Sequence, residues 1–462
     1  MQARSGTDVG KAVIWSFLAS LAATIVPVFL RLNRKTDGSE YFYWYGFADK
    51  RWLVALYLVW VIGFPALTAI LTAFLQGRNQ VPMHEPVSQE VDSRRRQKTL
   101  RKIVAGGLLL IPAWLLWGPP WKGPSLHGGV DIHEAVHLKG YQAILSGSQP
   151  YVGAANEQYG PLAQRFVASW WSGVGQEALS NTRVAYAAMN FGAVLFILIS
   201  LLVFLKLRTA VAAAVVGMFL VPNFTFFTQT QNGLAGYFGW ANLWRYAGVL
   251  FLGLSLPWLL CRLSNFRGSV PFGWGAARGF AVGAVWGITT LIAQENLLGG
   301  VLVIVVIGVT LLVVLRLPVF PSGVLGAGIL VGFVAVWFAY LIPYLSAGMA
   351  QDFLGNYLLV PLAVSDGYSG SYWQSSSSWT AFFYLGPLVL LLIGLLLAVG
   401  LGYRAQSGQG SAVSRPTGSQ SWVAAFGLFI AAAVALSSSL NRSDNSHPLN
   451  SGWIFPFPVV AF

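Results

Sequence analysis

Apolar runs long enough to cross a lipid bilayer recur from one end of the chain to the other. The hydrocarbon core of a bilayer is about 30 Å thick, which a helix of about 20 residues spans, and this length gives about eleven candidate spans. Charged residues make up only 9% of the 462 residues, against about a quarter in soluble domains, which excludes a soluble enzyme and a disordered protein. We therefore predict an all-α polytopic membrane protein.

The candidate spans divide into an N-terminal pair and a longer series. We predict that residues 1–102 form a two-span extension with a basic cytoplasmic loop, and that residues 103–462 form the transmembrane core. The first span is expected to remain as an anchor, because its apolar run is longer than that of a signal peptide. The spans are predicted at Ala12–Leu32, Trp52–Leu75, Ile103–Trp117, Val184–Leu205, Thr209–Pro222, Tyr246–Cys261, Ala276–Ala293, Val301–Leu315, Gly323–Leu341, Ala381–Leu401 and Trp422–Ser437.

The basic residues predict how the chain is oriented. There are 28 Lys+Arg against 15 Asp+Glu, a net charge of +13, and loops rich in Lys and Arg stay in the cytoplasm. The loop that contains Arg94–Arg96 is the most basic, so we expect this loop and the N-terminus inside. Alternation of spans then places the segments 121–183, 223–244, 346–379 and 441–462, and the tip at 294–296, on the outer face. Because topology accounts for the charge, no nucleic-acid partner is expected.

The long outer segment opens with ionisable residues that are closely spaced. Asp131 and Glu134 have the spacing of a capping box, in which each side chain accepts from a free N–H at the start of a helix. An amphipathic helix is predicted over Leu138–Leu145, and between two spans it is expected to lie along the membrane surface. A cap alone does not account for the neighbouring histidines. Polar groups are costly near lipid, so their concentration on the outer face suggests a site there.

Three functions are compatible with this segment. His133-Glu134-Ala135-Val136-His137 is the H-E-x-x-H motif of zinc proteases, and Glu157 stands where one peptidase family has its third ligand. A sugar transferase also needs a carboxylate base, cationic or polar groups for the leaving phosphate and aromatic rings for the sugar. A solute or lipid transporter is the third alternative, although transporters place polar residues in broken helices midway through the membrane.

Four motifs carry a resemblance to a known family. Three lie in the outer segment: Asp131-x-His133-Glu134, Gly147-x-x-Pro150-Tyr151 and Tyr159-Gly160-Pro161-Leu162. The fourth, near the C-terminus, is Arg442-Ser443-Asp444-x-x-His447. Together they resemble the outer loops of bacterial GT-C-type membrane glycosyltransferases. The resemblance implies a GT-C-like core in the bacterial cytoplasmic membrane, an extracytoplasmic site and a polyprenyl-phosphate-linked sugar as donor. The two spans and the basic loop of the N-terminal extension depart from the usual pattern of the family, which begins with the span directly before the acidic loop.

The candidate site is therefore that of an inverting glycosyltransferase, with an acceptor that the sequence does not identify. Asp131 and Glu134 are the predicted catalytic pair, and Asp131 is expected to be the base that takes the proton of the acceptor hydroxyl. Arg442 or Arg245 is expected to hold the donor phosphate in a two-pronged contact. No cofactor or metal-ligand set is predicted, and a divalent cation beside the carboxylates is left open. The predicted substrate-binding residues are His133, His137, Tyr151, Tyr159, Arg245, Glu295, Arg442 and His447.

Overall fold

The computed structural model describes the chain in separate stretches, and every element in them is a helix. The described residues are 12, 14–23, 59, 63, 67, 70, 71, 91–117, 132–155, 160–175, 179–216, 243–264, 272–315, 317–367, 392, 396 and 419–437. The longer helices are α1 (Ile14–Ala23), α2 (Val91–Trp117), α3 (Ile132–Leu145), α4 (Pro161–Val174), α5 (Leu179–Phe204), α6 (Leu207–Val216), α7 (Ala247–Ser264), α8 (Phe272–Ile292), α9 (Glu295–Val314), α10 (Val319–Ser346), α11 (Ala350–Gly367) and α12 (Ser419–Ser437). Two short 3₁₀ turns, η1 (Gly153–Ala155) and η2 (Leu243–Arg245), complete the described fold.

The helices confirm the predicted fold class of an all-α polytopic membrane protein. Within the described residues, four helices, α5, α8, α9 and α10, are long and apolar enough to cross a membrane, and α1, α6, α7 and α12 are shorter apolar helices. Each of these helices overlaps a predicted span. Most of the predicted spans Trp52–Leu75 and Ala381–Leu401 lies outside the described residues. The count of about eleven spans therefore stays a prediction.

Two features of the helix pattern differ from the sequence interpretation. The segment expected as an outer loop, Ser346–Trp379, contains the helix α11. Helix α2 runs without a break through residue 102, where the boundary between extension and core was predicted. The extension itself lies mostly outside the described residues, so the division into two units remains a prediction.

Glycines let helices α8 and α10 pack backbone against backbone. Gly279 and Gly283 on α8 are four residues apart and so lie on one face, as do Gly328 and Gly332 on α10. A Cβ atom built on Gly328 would lie only 2.7 Å from the Ala276 carbonyl oxygen. Such close approach through small residues is how helices associate in lipid, where the hydrophobic effect does not drive them together. The α8–α10 pair therefore forms a firm support for whatever lies at its ends.

Helix α7 is the buried centre of the described bundle. It contacts α5, α8, α9 and α12, and most of its residues are buried. Gly253 of α7 faces α12, where an added Cβ would lie 2.7 Å from the Cβ atom of Ala431. This packing holds α7 in place, and the start of α7 forms part of the candidate site.

The two ends of the bundle differ in the residues that they carry. At one end the Lys102 ammonium donates to the carbonyl of Leu205 at 3.1 Å, near the end of α5, and Arg262 and Arg278 lie over tryptophan rings. The opposite end carries α3, α4, the α8–α9 turn and the start of α11, and we call it the α3 end. Two groups of described segments thus lie at opposite ends of the bundle: those that were predicted to be cytoplasmic and those that were predicted to be outside. Which end faces the cytoplasm remains a prediction.

Candidate functional site

The acidic motif stands at the start of helix α3. The helix begins at Ile132, directly after Asp131 in the sequence, and it includes His133, Glu134 and His137 in its first two turns. A helix start at this point agrees with the capping-box spacing, and a helical backbone is what the H-E-x-x-H motif requires. For residues 132–137 the structure describes the backbone alone. Among the side chains that are described, no group of three His, Cys, Asp or Glu could hold a metal ion.

The second half of α3 is anchored to α4 and α5 by aromatic side chains. The Tyr141 ring is 1% exposed and meets the edge of the Trp171 ring, with a centroid separation of 5.8 Å. The hydroxyls of Tyr141 and Tyr186 form a hydrogen bond, and the Trp171 indole donates to the Thr182 hydroxyl at 3.0 Å. These contacts fix the direction of α3 and hence the position of its first turns.

The loop that follows α3 is locked in place by Tyr151. Its backbone has a φ of 63°, which is a left-handed conformation. This conformation is unfavourable for a residue with a Cβ atom, and it persists only where other contacts enforce it. The Tyr151 ring is fully buried and packs against Phe353 and Tyr357, at centroid distances of 5.6 and 5.5 Å. The Asn356 amide donates to the Tyr151 carbonyl at 2.7 Å, and the Gln294 amide donates to the Tyr151 hydroxyl. The predicted sugar-stacking residue thus ties its loop to α11 and the α8–α9 turn.

Asn296 holds the α8–α9 turn against the start of α7. Its fully buried side chain accepts from the N–H groups of Gly248 at 3.0 Å and Val249 at 3.2 Å. Its amide nitrogen donates to the carbonyls of Thr289 at 3.0 Å and Trp244 at 3.3 Å. One side chain thereby satisfies two N–H groups at the start of α7 that the helix itself leaves without partners, and it joins them to the end of α8 and to η2. The short turn between α8 and α9 is therefore held against the start of α7 by this side chain.

Arg245 and Glu295, predicted separately as substrate-binding residues, form an ion pair with each other. The Arg245 Nε donates to Glu295 Oε1 at 2.8 Å, and its Nη2 reaches the same oxygen. The side chains are 17% and 21% exposed. The other oxygen, Oε2, accepts no hydrogen bond from any described residue. Burial raises the pKa of the Tyr357 phenol, and the negative charge of Glu295 raises it further.

Arg165 on α4 forms a second basic centre at the α3 end. Its Nε donates to the Tyr340 hydroxyl at 3.2 Å, and its Nη2 donates to the side-chain oxygen of Gln149. The Tyr340 hydroxyl oxygen lies 3.4 Å from the Tyr344 hydroxyl oxygen. The Tyr344 hydroxyl donates to the Pro150 carbonyl at 3.4 Å. The partners of Arg165 therefore come from α10 and from the loop that Tyr151 locks.

Two further arginines at this end, Arg165 and Arg183, were not among the predicted site residues. Arg165 is the one charged residue in the α4 sequence, and a lone arginine in an otherwise uncharged amphipathic segment is the signal that could have identified it. Arg183 near the start of α5 is 1% exposed and makes contacts with partners. A fully buried arginine is rare unless it is paired, but no feature of its sequence context predicts the burial.

Four predicted site residues lie outside the described part of the chain: Asp131, Tyr159, Arg442 and His447. For three more, His133, Glu134 and His137, only the backbone is described. The structure brings the remaining three, Tyr151, Arg245 and Glu295, to the α3 end, where Gln294 links Tyr151 to the turn that carries Glu295. The roles of all these residues in catalysis or substrate binding stay predictions.

No protein-family model and no curated protein matches the chain. Among solved structures, two crystal structures of ArnT from Cupriavidus metallidurans are similar to it. The structure bound to undecaprenyl phosphate is 14% identical, with a TM-score of 0.39, and the match covers 78% of this chain. The apo structure is 17% identical, with a TM-score of 0.40 and a coverage of 79%. The chain spans 59% of the length of each of these structures.

Proposed function

We propose that the protein is an integral membrane glycosyltransferase of the GT-C type, which transfers a sugar from a polyprenyl-phosphate donor to an extracytoplasmic acceptor with inversion. The observation that carries the proposal is the composition of the α3 end. The helix that follows the acidic motif is anchored there beside tyrosines, tryptophans and arginines. We expect Asp131 and Glu134 to bring a carboxylate base to the same region as a cation for the phosphate, and the transfer requires both groups.

The proposed reaction uses these groups in one displacement. The Asp131 carboxylate takes the proton of the acceptor hydroxyl while the oxygen attacks the anomeric carbon of the donor sugar. The bond between that carbon and the phosphate oxygen breaks, and the electron pair leaves with the polyprenyl phosphate. A phosphate leaving group carries its own negative charge, so a fixed cation stabilises its departure. Glu134 orients the base or a cation, or caps α3. One of the similar ArnT structures holds undecaprenyl phosphate; the proposal for this chain rests on its own residues.

The proposal is tested by turnover in a membrane. The purified full-length protein, reconstituted into liposomes, is supplied with a panel of polyprenyl-phosphate-linked sugars and a membrane extract as the source of acceptors. Release of polyprenyl phosphate together with transfer of the labelled sugar supports the proposal. Absence of both with every donor, from protein that is folded by circular dichroism, argues against it.

A zinc protease remains the second candidate, because the α3 backbone is helical from His133 to His137. Histidines at i and i+4 share a helix face and can hold one zinc ion. Metal analysis of the purified protein separates the two functions. One zinc per chain that is lost in His133→Ala favours the protease, and a metal-free protein that transfers sugar favours the transferase.

A further inference from the structure

We propose that Arg165 is the anchor of a phosphate-binding subsite that takes the phosphate of a membrane lipid. The inference deepens the proposed function, on which it rests for the identity of the lipid, a polyprenyl phosphate. It assigns to Arg165 the contact that the sequence analysis gave to Arg245 or Arg442. The ligand binds through charge and hydrogen bonds, and no covalent step is involved.

The two described arginine centres differ in the charge of their partners. Arg245 has a carboxylate partner, Glu295, which compensates its charge and would repel a phosphate. The partners of Arg165 are the neutral side chains of Tyr340, Gln149 and Tyr344, and no carboxylate pairs with it within the described stretches. A partly buried guanidinium with neutral partners keeps a full positive charge in a poorly solvated place. Such a cation attracts an anion more strongly than a compensated one does.

A set of hydrogen-bond donors remains on Arg165. A guanidinium has five N–H groups and no acceptor. One from Nε and one from Nη2 are used by Tyr340 and Gln149, and Arg165 also interacts with the Tyr344 hydroxyl, which leaves at least two N–H groups of the guanidinium. Because arginine can only donate, Gln149 must turn its oxygen towards Arg165, and its amide nitrogen is then directed elsewhere as a further donor. The N–H groups that remain on the guanidinium can donate to two oxygens of one phosphate.

Arg165 lies on an amphipathic helix. One face of α4 is buried in the bundle through residues that include Val167 and Trp171. Its other face exposes Phe166 by 39% and Val174 by 46%. The same face also exposes Ser169 and Ser172, and a helix with such a mixed outward face is expected to lie in the membrane interface, where lipid phosphates are found. We therefore expect the phosphate that reaches Arg165 to belong to a lipid.

The subsite is held rigidly before a ligand arrives. Tyr340 belongs to α10, which packs backbone to backbone on α8. Gln149 belongs to the loop that is tied down through Tyr151 and Asn356. An arginine whose neighbours are fixed loses little freedom on binding, which favours affinity.

The test is equilibrium binding of a labelled polyprenyl monophosphate to the full-length protein in lipid nanodiscs. Arg165→Ala should weaken binding by about ten- to a hundredfold, the usual effect of removing a charged hydrogen bond, and Arg165→Lys by less. Gln149→Glu keeps the shape of the side chain and gives Arg165 a carboxylate, so it should weaken binding as much as Arg165→Ala. Lys139→Ala is the control, because Lys139 is exposed on α3 and its loss removes the same charge from the same end.

Competition identifies the source of the phosphate. Unlabelled polyprenyl phosphate should displace the probe, whereas phosphatidylglycerol and inorganic phosphate should not. Displacement by phosphatidylglycerol at similar concentration overturns the assignment to the carrier lipid.

The inference and the proposed function fail in different ways. Unchanged binding in both Arg165→Ala and Gln149→Glu overturns the phosphate subsite, even if the wild type transfers sugar. Loss of binding in these two variants, with melting temperatures like the wild type, supports the subsite even if no sugar donor is ever turned over. Loss of binding in Arg245→Ala alone moves the phosphate to the other arginine.

Discussion

Arg165 and Arg245 lie at the same end of the bundle, yet their surroundings differ in charge. Arg245 is joined to Glu295 by two hydrogen bonds to one oxygen, whereas Arg165 is held by a tyrosine and a glutamine. The first arrangement compensates its own charge and links η2 to the α8–α9 turn. The second leaves its charge available. The comparison teaches that the partner, more than the arginine itself, decides whether a cation holds the fold together or is available for a ligand.

Forcing α8 and α10 apart should disturb both centres at once and have the largest effect. A Cβ atom at Gly283 would lie 2.7 Å from the Ile329 carbonyl carbon, so Gly283→Ala requires the helices to separate. We expect a loss of about 3 kcal/mol in stability, the upper part of the usual range for overpacking, measured by thermal unfolding in detergent. Gly326→Ala on α10, where an added Cβ meets nothing within 4 Å, is the matched control and should leave the melting temperature unchanged or slightly raised. Equal melting of the two variants would contradict the close packing.

Releasing Arg245 from its carboxylate should sharpen the comparison. In Glu295→Gln the ion pair is lost, and because the pair is about one-fifth exposed the expected loss of stability is about 1–2 kcal/mol. Arg245 without its carboxylate should then bind polyprenyl phosphate better than it does in the wild type. The affinity of the protein for polyprenyl phosphate should therefore rise or stay the same. Asp352→Asn, which changes an exposed carboxylate at the start of α11, should alter neither quantity. A fall in lipid binding in Glu295→Gln would show that the carboxylate itself takes part in the site.

The smallest of these effects should follow from removing a neutral partner of Arg165. Tyr340→Phe deletes the hydroxyl that accepts from Nε and leaves the ring packing in place. We expect the binding free energy of polyprenyl phosphate to weaken by about 1 kcal/mol, which is about fivefold in affinity, because the guanidinium loses the contact that positions its Nε. Tyr357→Phe serves as the control, since its hydroxyl donates to the Thr290 carbonyl and does not contact Arg165. An equal loss in both variants would point to general loosening of the aromatic cluster.

The sequence was a good guide to what local hydropathy determines and a poor guide to what tertiary packing determines. The spans follow from apolar runs, and the start of α3 follows from the spacing of Asp131 and Glu134. The pairs Arg245–Glu295 and Arg165–Tyr340 join residues 50 and 175 positions apart, and neither partner marks the other in the sequence. Tyr151 was expected to stack on a sugar because an aromatic residue in an outer loop suggests a platform. Its burial depends on α11, which was expected as loop.

The most direct test of the account is the turnover of Asp131→Asn with a polyprenyl-phosphate-linked sugar that the wild type uses. Asparagine is also a good N-cap, so the start of α3 should be kept, while the base is lost. We predict that release of polyprenyl phosphate slows by about 10²–10⁴-fold, that Glu134→Gln is affected less, and that the exposed-carboxylate control Asp352→Asn turns over like the wild type. Near-normal turnover of Asp131→Asn would contradict the account, and a dead Glu134→Gln beside it would move the base to Glu134.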